Sequence, residues 1–161
     1  MQQTLNLSDI DWQWRHYNAL TRDEAVAMFK LRQDVFIVEQ DCPFHDIDGI
    51  DSEAEHLLGW YDGELVATLR FFHEYQPYQG RCSIGRICSS LNYRKFGVGR
   101  ALVAEGLKRI DELYSNRETE IGAQLYLKKF YESFGFVQSS DVYDEDGIDH
   151  IHMIRAKLVE S

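Results

Sequence analysis

One short segment restricts this chain more than any other. Residues 82–89 read as an apolar strand, and residues 98–114 carry Leu102, Val103, Leu107, Ile110 and Leu113 at helical spacing. Between them runs Arg94-Lys95-Phe96-Gly97-Val98-Gly99-Arg100. A strand, a glycine-bearing loop and a helix in that order predict an α/β fold in which backbone N–H groups at the helix start face a bound anion. The stretch from Arg86 to Arg100 holds four basic residues and no acidic one, in a chain whose 17 Lys and Arg against 27 Asp and Glu leave a net charge of −10. Local charge therefore opposes global charge. The loop is not a Walker loop, because no Gly-Lys-Ser/Thr occurs, and not a dinucleotide fingerprint, because Leu102 stands where the third glycine belongs.

The remaining elements predict a single domain over residues 1–161, with no repeat and no linker. A short strand is expected over residues 12–17. Thr21-Arg22-Asp23-Glu24 has capping-box spacing ahead of a helix over residues 22–38, with Ala25, Met28, Leu31, Val35 and Val38 on its apolar stripe. Residues 39–55 lose that period and contain seven carboxylates with no Lys or Arg, which predicts a strongly negative loop. Strands over residues 56–61 and 64–73 flank Asp62-Gly63, a pair suited to a tight hairpin turn. A short strand over residues 120–123, a helix over residues 125–134 ending at Gly135, and a hairpin of residues 136–143 with 150–158 around Asp146-Gly147 complete the chain.

Composition removes several function classes. No apolar run approaches the roughly 20 residues of a membrane span, and residues 1–11 lack the basic flank and apolar stretch of a secretory signal. Cys42, Cys82 and Cys88 cannot all pair within the chain and show no C-x-x-C spacing, so a cytoplasmic location and no metal site are expected. The net charge argues against nucleic acid as a partner. A calcium loop through Asp46, Asp48, Gly49 and Glu55 fails because Phe44 would occupy its first ligand position.

The R-x-x-G-x-G of residues 94–99, followed by Tyr131-Glu132-Ser133-Phe134-Gly135-Phe136, resembles the GNAT N-acetyltransferase family. Its ElaA-type branch is resembled at Val38-Glu39-Gln40, Cys42-Pro43-Phe44, Ile47-Asp48-Gly49, Ala123-Gln124, Phe130-Tyr131 and Gly147-Ile148-Asp149-His150-Ile151. The resemblance implies a mixed, mostly antiparallel sheet splayed into a V and flanked by helices, with acetyl-CoA as co-substrate. Arg94, Lys95, Phe96, Gly97, Val98 and Gly99 would hold its phosphates. Ile87, Cys88, Ser89 and Gln124 would hold its pantetheine arm, Gln124 standing where the family often has asparagine. The implied reaction is direct transfer of the acetyl group to an amine in a ternary complex, and an acyl-CoA sensor without turnover is the alternative. Tyr131 matches the family's general acid, although its periodicity with Leu127 and Phe134 also suits a core aromatic.

No base stands out among Glu39, His45, Asp46, Asp48, His56, His150 and His152; Glu39 is the working choice. Asp46, Asp48 and His150 are expected on the acceptor side, where the acidic loop and the five carboxylates of residues 141–149 would draw in a cationic amine, small or peptidic. A homodimer is among the allowed assemblies.

Overall fold

A computed structural model describes residues 4–158. Its eight strands form one sheet, ordered across it as residues 11–16, 55–61, 64–75, 81–89, 119–124, 148–155 and 136–138, with residues 143–145 also paired to 148–155. The first half is an antiparallel meander of β1 (Asp11–His16), β2 (Glu55–Tyr61), β3 (Glu64–Tyr75) and β4 (Arg81–Ser89). The second half holds β5 (Thr119–Gln124), β6 (Phe136–Gln138), β7 (Tyr143–Glu145) and β8 (Ile148–Arg155). Helix α1 (Arg22–Arg32) precedes β2, α2 (Val98–Leu113) joins β4 to β5, and α3 (Lys128–Glu132) joins β5 to β6. Both hairpin turns form as expected. Asp62 and Gly63 have φ of 50° and 75°, and Asp146 and Gly147 have 52° and 82°, the paired left-handed backbone that matches the twist of the flanking strands.

The meander is buried on both faces because β2 alternates its apolar contacts between two helices. Leu57 packs with Leu69, Phe71 and Ile84 and with Leu102, Val103, Leu107 and Ile110 of α2. Its neighbour Leu58 packs with Leu65 and Cys88 and with Met28 and Leu31 of α1 and the following Val35. The strands thus read as near-continuous apolar runs. Three members of the predicted stripes lie outside this packing: half-buried Ala25 in the first turn of α1, and Val38 and Leu113, 65% and 46% exposed, each in the last turn of its helical segment.

The two halves of the sheet meet at one place. Strands β4 and β5 run parallel but pair only at Cys82 and Thr119, near the start of each. Beyond that point they share no ladder, so the sheet opens as a V toward Ser89 and Gln124. Strand β4 is also bulged there. Thr68 pairs with Cys88 and Arg70 with Gly85, so two steps along β3 answer three along β4, and Arg86 in the extra space has a φ of 48°.

Two elements differ from the sequence reading. The helix expected to residue 38 is α-helical to Arg32 and then widens into π-helical turns over Gln33–Glu39. The strand expected over residues 136–143 breaks into β6 and β7. Gln138 faces Met153 and Tyr143 faces His150, which leaves two surplus residues on the outer strand. The break is held by Ser140, whose hydroxyl accepts from the His152 amide at 2.9 Å, a side chain competing for a ladder group.

Candidate active site

The open V is a cavity of about 740 Å³. One wall is β4 from Ile84 to Ser89, the other is β5 from Ile121 to Gln124, and the start of α2 closes one end through Gly97, Gly99 and Arg100. The approach to α2 is built for close contact. The 3₁₀ turns of Leu91–Phe96 deliver the chain to Gly97, whose φ of 80° lies in the left-handed region, and no side chain caps the helix. Its first N–H groups are thus left to another partner. A Cβ at Gly99 would find nothing nearer than Ser89 Oγ at 3.9 Å, so the glycine opens space and relieves no strain. Arg100 lies 5.4 Å from the centre of the Phe130 ring and 5.0 Å from that of Phe134, and donates to Ser133 Oγ at 3.1 Å. This ties the start of α2 to α3 across the mouth of the V.

Of the residues expected at the coenzyme, Ile87, Cys88, Ser89, Arg94, Gly97, Gly99 and Gln124 line this cavity. Lys95 and Phe96 lie outside the lining, and the Val98 side chain is wholly in the core, which leaves Val98 only its backbone to offer. Cys88 is buried, and its thiol is pushed up to about 12 by desolvation, so it stays a neutral wall. Gln124 donates to Gln40 Oε1 at 3.3 Å, which links β5 to the chain leaving α1.

Tyr131 also faces the cavity. Its ring packs edge-on against Phe130 and Phe136, and among the described residues its hydroxyl has no hydrogen-bond partner. Burial, with a smaller contribution from Tyr126, pushes the phenol well above its ordinary value. It therefore keeps its proton at neutral pH and has a proton to donate. Glu39 lines the opposite side but is not a free carboxylate. Arg94 grips both its oxygens, donating through Nη1 and, at 2.6 Å, through Nη2. The expected base and the expected phosphate ligand are thus paired with each other.

The acidic loop differs most from expectation. Asp46 and Asp48 are absent from the cavity lining. Arg32, 1% exposed, donates to Asp46 Oδ2 at 2.9 Å and to Asp51 Oδ1 at 2.8 Å. Arg70 holds Asp48 through two bonds of 3.0 and 2.8 Å and reaches Asp51 at 3.1 Å, while Arg86 pairs with Asp46 and Asp48. Burial pushes the Asp48 carboxyl up, but Arg70, the Ile50 amide and Arg86 outweigh it and hold the group down at about 2. Glu55 is taken by Arg109 and His73, so five of the seven carboxylates, Glu39 included, are ion-paired. What was expected as a negative field is largely a clamp. It holds Cys42 and Phe44 at the cavity, and Cys42 Sγ donates to Asp146 O at 3.3 Å, joining the loop to the last hairpin.

His150 does line the cavity, with Nδ1 at 2.8 Å from Ile148 O and Nε2 at 3.1 Å from Glu145. His56 is buried against Asp51 O, and His152 pairs with Glu120. The partners of four arginines were not legible in the sequence: Arg86 and Arg100 bound the basic stretch with no sign of what they hold, Arg70 of the clamp carried no signal, and Arg32, four residues after Met28 on the apolar stripe, was a charge at a core position.

The sequence profile of the Acetyltransferase (GNAT) domain matches residues 21–157. Protein ElaA of Escherichia coli K12 is 39% identical over 148 residues, covering 91% of this chain and 96% of that protein. The crystal structure of E. coli ElaA superposes with a TM-score of 0.83 at 38% identity, over 91% of this chain and 99% of that one. An acyl-CoA N-acyltransferase from Pseudomonas aeruginosa gives 0.85 at 38% identity, with the same coverage. A GNAT family acetyltransferase from Elizabethkingia anophelis with acetyl-CoA bound shares the fold at a TM-score of 0.64 and 14% identity, over 92% of this chain and 98% of that one. Bulged β4, the V-shaped gap and the glycine-bearing start of α2 stand in a chain that belongs to the GNAT acetyltransferase family.

Proposed function

We propose that this protein transfers an acetyl group from acetyl-CoA to an amine by direct attack within a ternary complex. One observation carries the reading: the bulged edge of β4, the uncapped start of α2 and the buried Tyr131 hydroxyl all open into the same gap. The uncapped N–H groups of α2 with Gly97 and Gly99 bind the diphosphate, and Arg94 adds charge. Ile87, Cys88 and Ser89 supply edge groups to the pantetheine arm, and Gln124 reaches it from the other wall. The bulge leaves β4 backbone groups without regular partners on β3, where they can polarise the thioester carbonyl. Tyr131 then donates its proton to the departing thiolate.

Proton removal from the amine by Glu39 requires Arg94 to leave the carboxylate, which its transfer to the diphosphate would bring about. The fold suits transfer more than sensing, because a sensor has no use for a desolvated, unpartnered phenol facing the gap. Thiol release from acetyl-CoA, measured against a panel of primary amines and lysine peptides, tests the reading. Acceptor-dependent release that falls in Tyr131→Phe supports it. Tight coenzyme A binding without release for any acceptor would favour the sensor.

A further inference from the structure

Gly122 sits in the middle of β5, exposed to the gap, while Ile121 and Ala123 on either side are buried in the core. Glycine weakens a strand interior, and its use there marks a place another group approaches closely. A Cβ at Gly122 would lie 3.2 Å from Tyr143 Oη and 3.3 Å from Tyr78 Oη. The two phenols come from separate parts of the chain, Tyr78 from the 3₁₀ turn Gln76–Tyr78 between β3 and β4 and Tyr143 from β7. Among the described residues neither hydroxyl has a hydrogen-bond partner, although both converge on one small space.

The walls of that space are aromatic, and the charges around it are Glu120, which Arg81 holds, and Glu145. His152 pairs with Gly122 across β5 and β8, and its ring stands edge-on to Tyr78 at 5.3 Å and tilted against Tyr143 at 5.0 Å. Its Nδ1 faces Glu120 Oε2 at 3.1 Å, while the other oxygen of Glu120 is held by Arg81. Burial, then Tyr143, Tyr75 and the carboxylates Glu120 and Glu145, push the Tyr78 phenol above its ordinary value, so it stays neutral.

Its depth in the V suits an acceptor. The pairing of Cys82 with Thr119 puts Gly122 level with Gly85, one to two residues from the Arg86–Ile87 bulge, or about 3–7 Å at strand rise. Tyr78, Tyr143 and His152 stand outside the cavity lining, and the gap reaches their cradle through Gly122, which lines it on the β5 wall opposite Ile87, Cys88 and Ser89. We infer that the cradle over Gly122, walled by Tyr78, Tyr143 and His152, receives the acceptor as an alkyl- or arylalkylammonium without an adjacent carboxylate. The inference rests on the acyl-CoA reading of the same gap. The ammonium donates to the two phenol oxygens, the rings cover the carbon next to it, and their faces with Glu145, which no arginine holds among the described residues, favour positive charge. A carboxylate beside the amine would meet Glu145.

The test is calorimetric titration of benzylamine at pH 7, where it is an ammonium, with benzyl alcohol and benzoate as neutral and anionic counterparts, each with and without coenzyme A. Benzylamine should bind the unaltered protein at least tenfold more tightly than either counterpart. Gly122→Ala, which fills the cradle, should weaken benzylamine at least tenfold and leave coenzyme A affinity within twofold. The double variant Tyr78→Phe/Tyr143→Phe keeps both rings and should show the same loss, which covers a folding defect in the glycine variant. Absence of benzylamine binding, equal affinity for benzyl alcohol, or undiminished binding in both variants overturns the inference. Failure of coenzyme A to bind the unaltered protein would instead strike the acyl-CoA reading.

Discussion

Arg32→Met removes the centre of the buried clamp while keeping most of the side-chain volume. Arg32 makes four hydrogen bonds there: to Asp46 Oδ2 and Asp46 O at 2.9 Å each, and to the two Asp51 oxygens at 2.8 and 3.3 Å. Breaking a buried ion pair from one side costs about 3–5 kcal/mol, because a desolvated charge is left behind. Here Asp46 keeps Arg86 and Asp51 keeps Arg70, so the cost falls at the lower end, about 3 kcal/mol. For a chain of this size each kcal/mol shifts Tm by roughly 2–4 °C, which gives a fall of about 6–12 °C.

The pH dependence has a definite sign. Burial pushes the Asp51 carboxyl up, but Arg32 and Arg70 outweigh it and hold it below its ordinary value. A depressed carboxyl contributes stability that is complete above its unfolded pKa of about 4 and is lost as pH falls through the folded value. The difference between the unaltered protein and Arg32→Met should therefore be full at pH 7 and shrink below about pH 4. Urea unfolding at several pH values, followed by fluorescence, measures both quantities. A loss under about 1 kcal/mol at pH 7, or a difference that grows toward low pH, would refute the view that Arg32 holds the loop through ionised aspartates.

Other perturbations address the site itself. Tyr131→Phe should lower kcat on the order of 10²-fold with coenzyme A affinity unchanged by calorimetry, since only the proton donor is lost. Gly99→Val should weaken coenzyme A binding far more than Ala104→Val on the exposed face of the same helix, because only the first puts methyl groups into the gap. Glu39→Gln frees Arg94 from a partly exposed pair worth about 0.2–1 kcal/mol, so coenzyme A should bind up to about fivefold more tightly. Unchanged affinity in that variant would mean that Glu39 does not compete with the coenzyme for Arg94.

The elements governed by local rules were legible in the sequence. The capping box at Thr21 and Glu24, the Asp-Gly turns and the stripe of α2 from Leu102 to Ile110 depend on neighbours within a few residues, and all formed where expected. The glycine-bearing turn into α2 was readable for the same reason, since glycines, basic charge and a helix start lie within seven residues. Gly122 carried a signal as well, a bare position inside a short strand, yet what it admits depends on Tyr78 and Tyr143, distant along the chain.

What only the tertiary structure decided is which charges meet. In sequence the carboxylates of residues 39–55 have no basic neighbour and read as a solvated negative loop. In the fold, Arg32 from α1, Arg70 from β3 and Arg86 from the β4 bulge arrive from 14 to 40 residues away and turn Asp46, Asp48 and Asp51 into a buried clamp. The same holds for Glu39 and Arg94, 55 residues apart and expected in separate roles. Hydrophobic period and turn chemistry are short-range properties of the backbone, so composition and spacing determine them. The strength of an electrostatic interaction depends on distance and desolvation, and those exist only once the sheet has brought remote strands together.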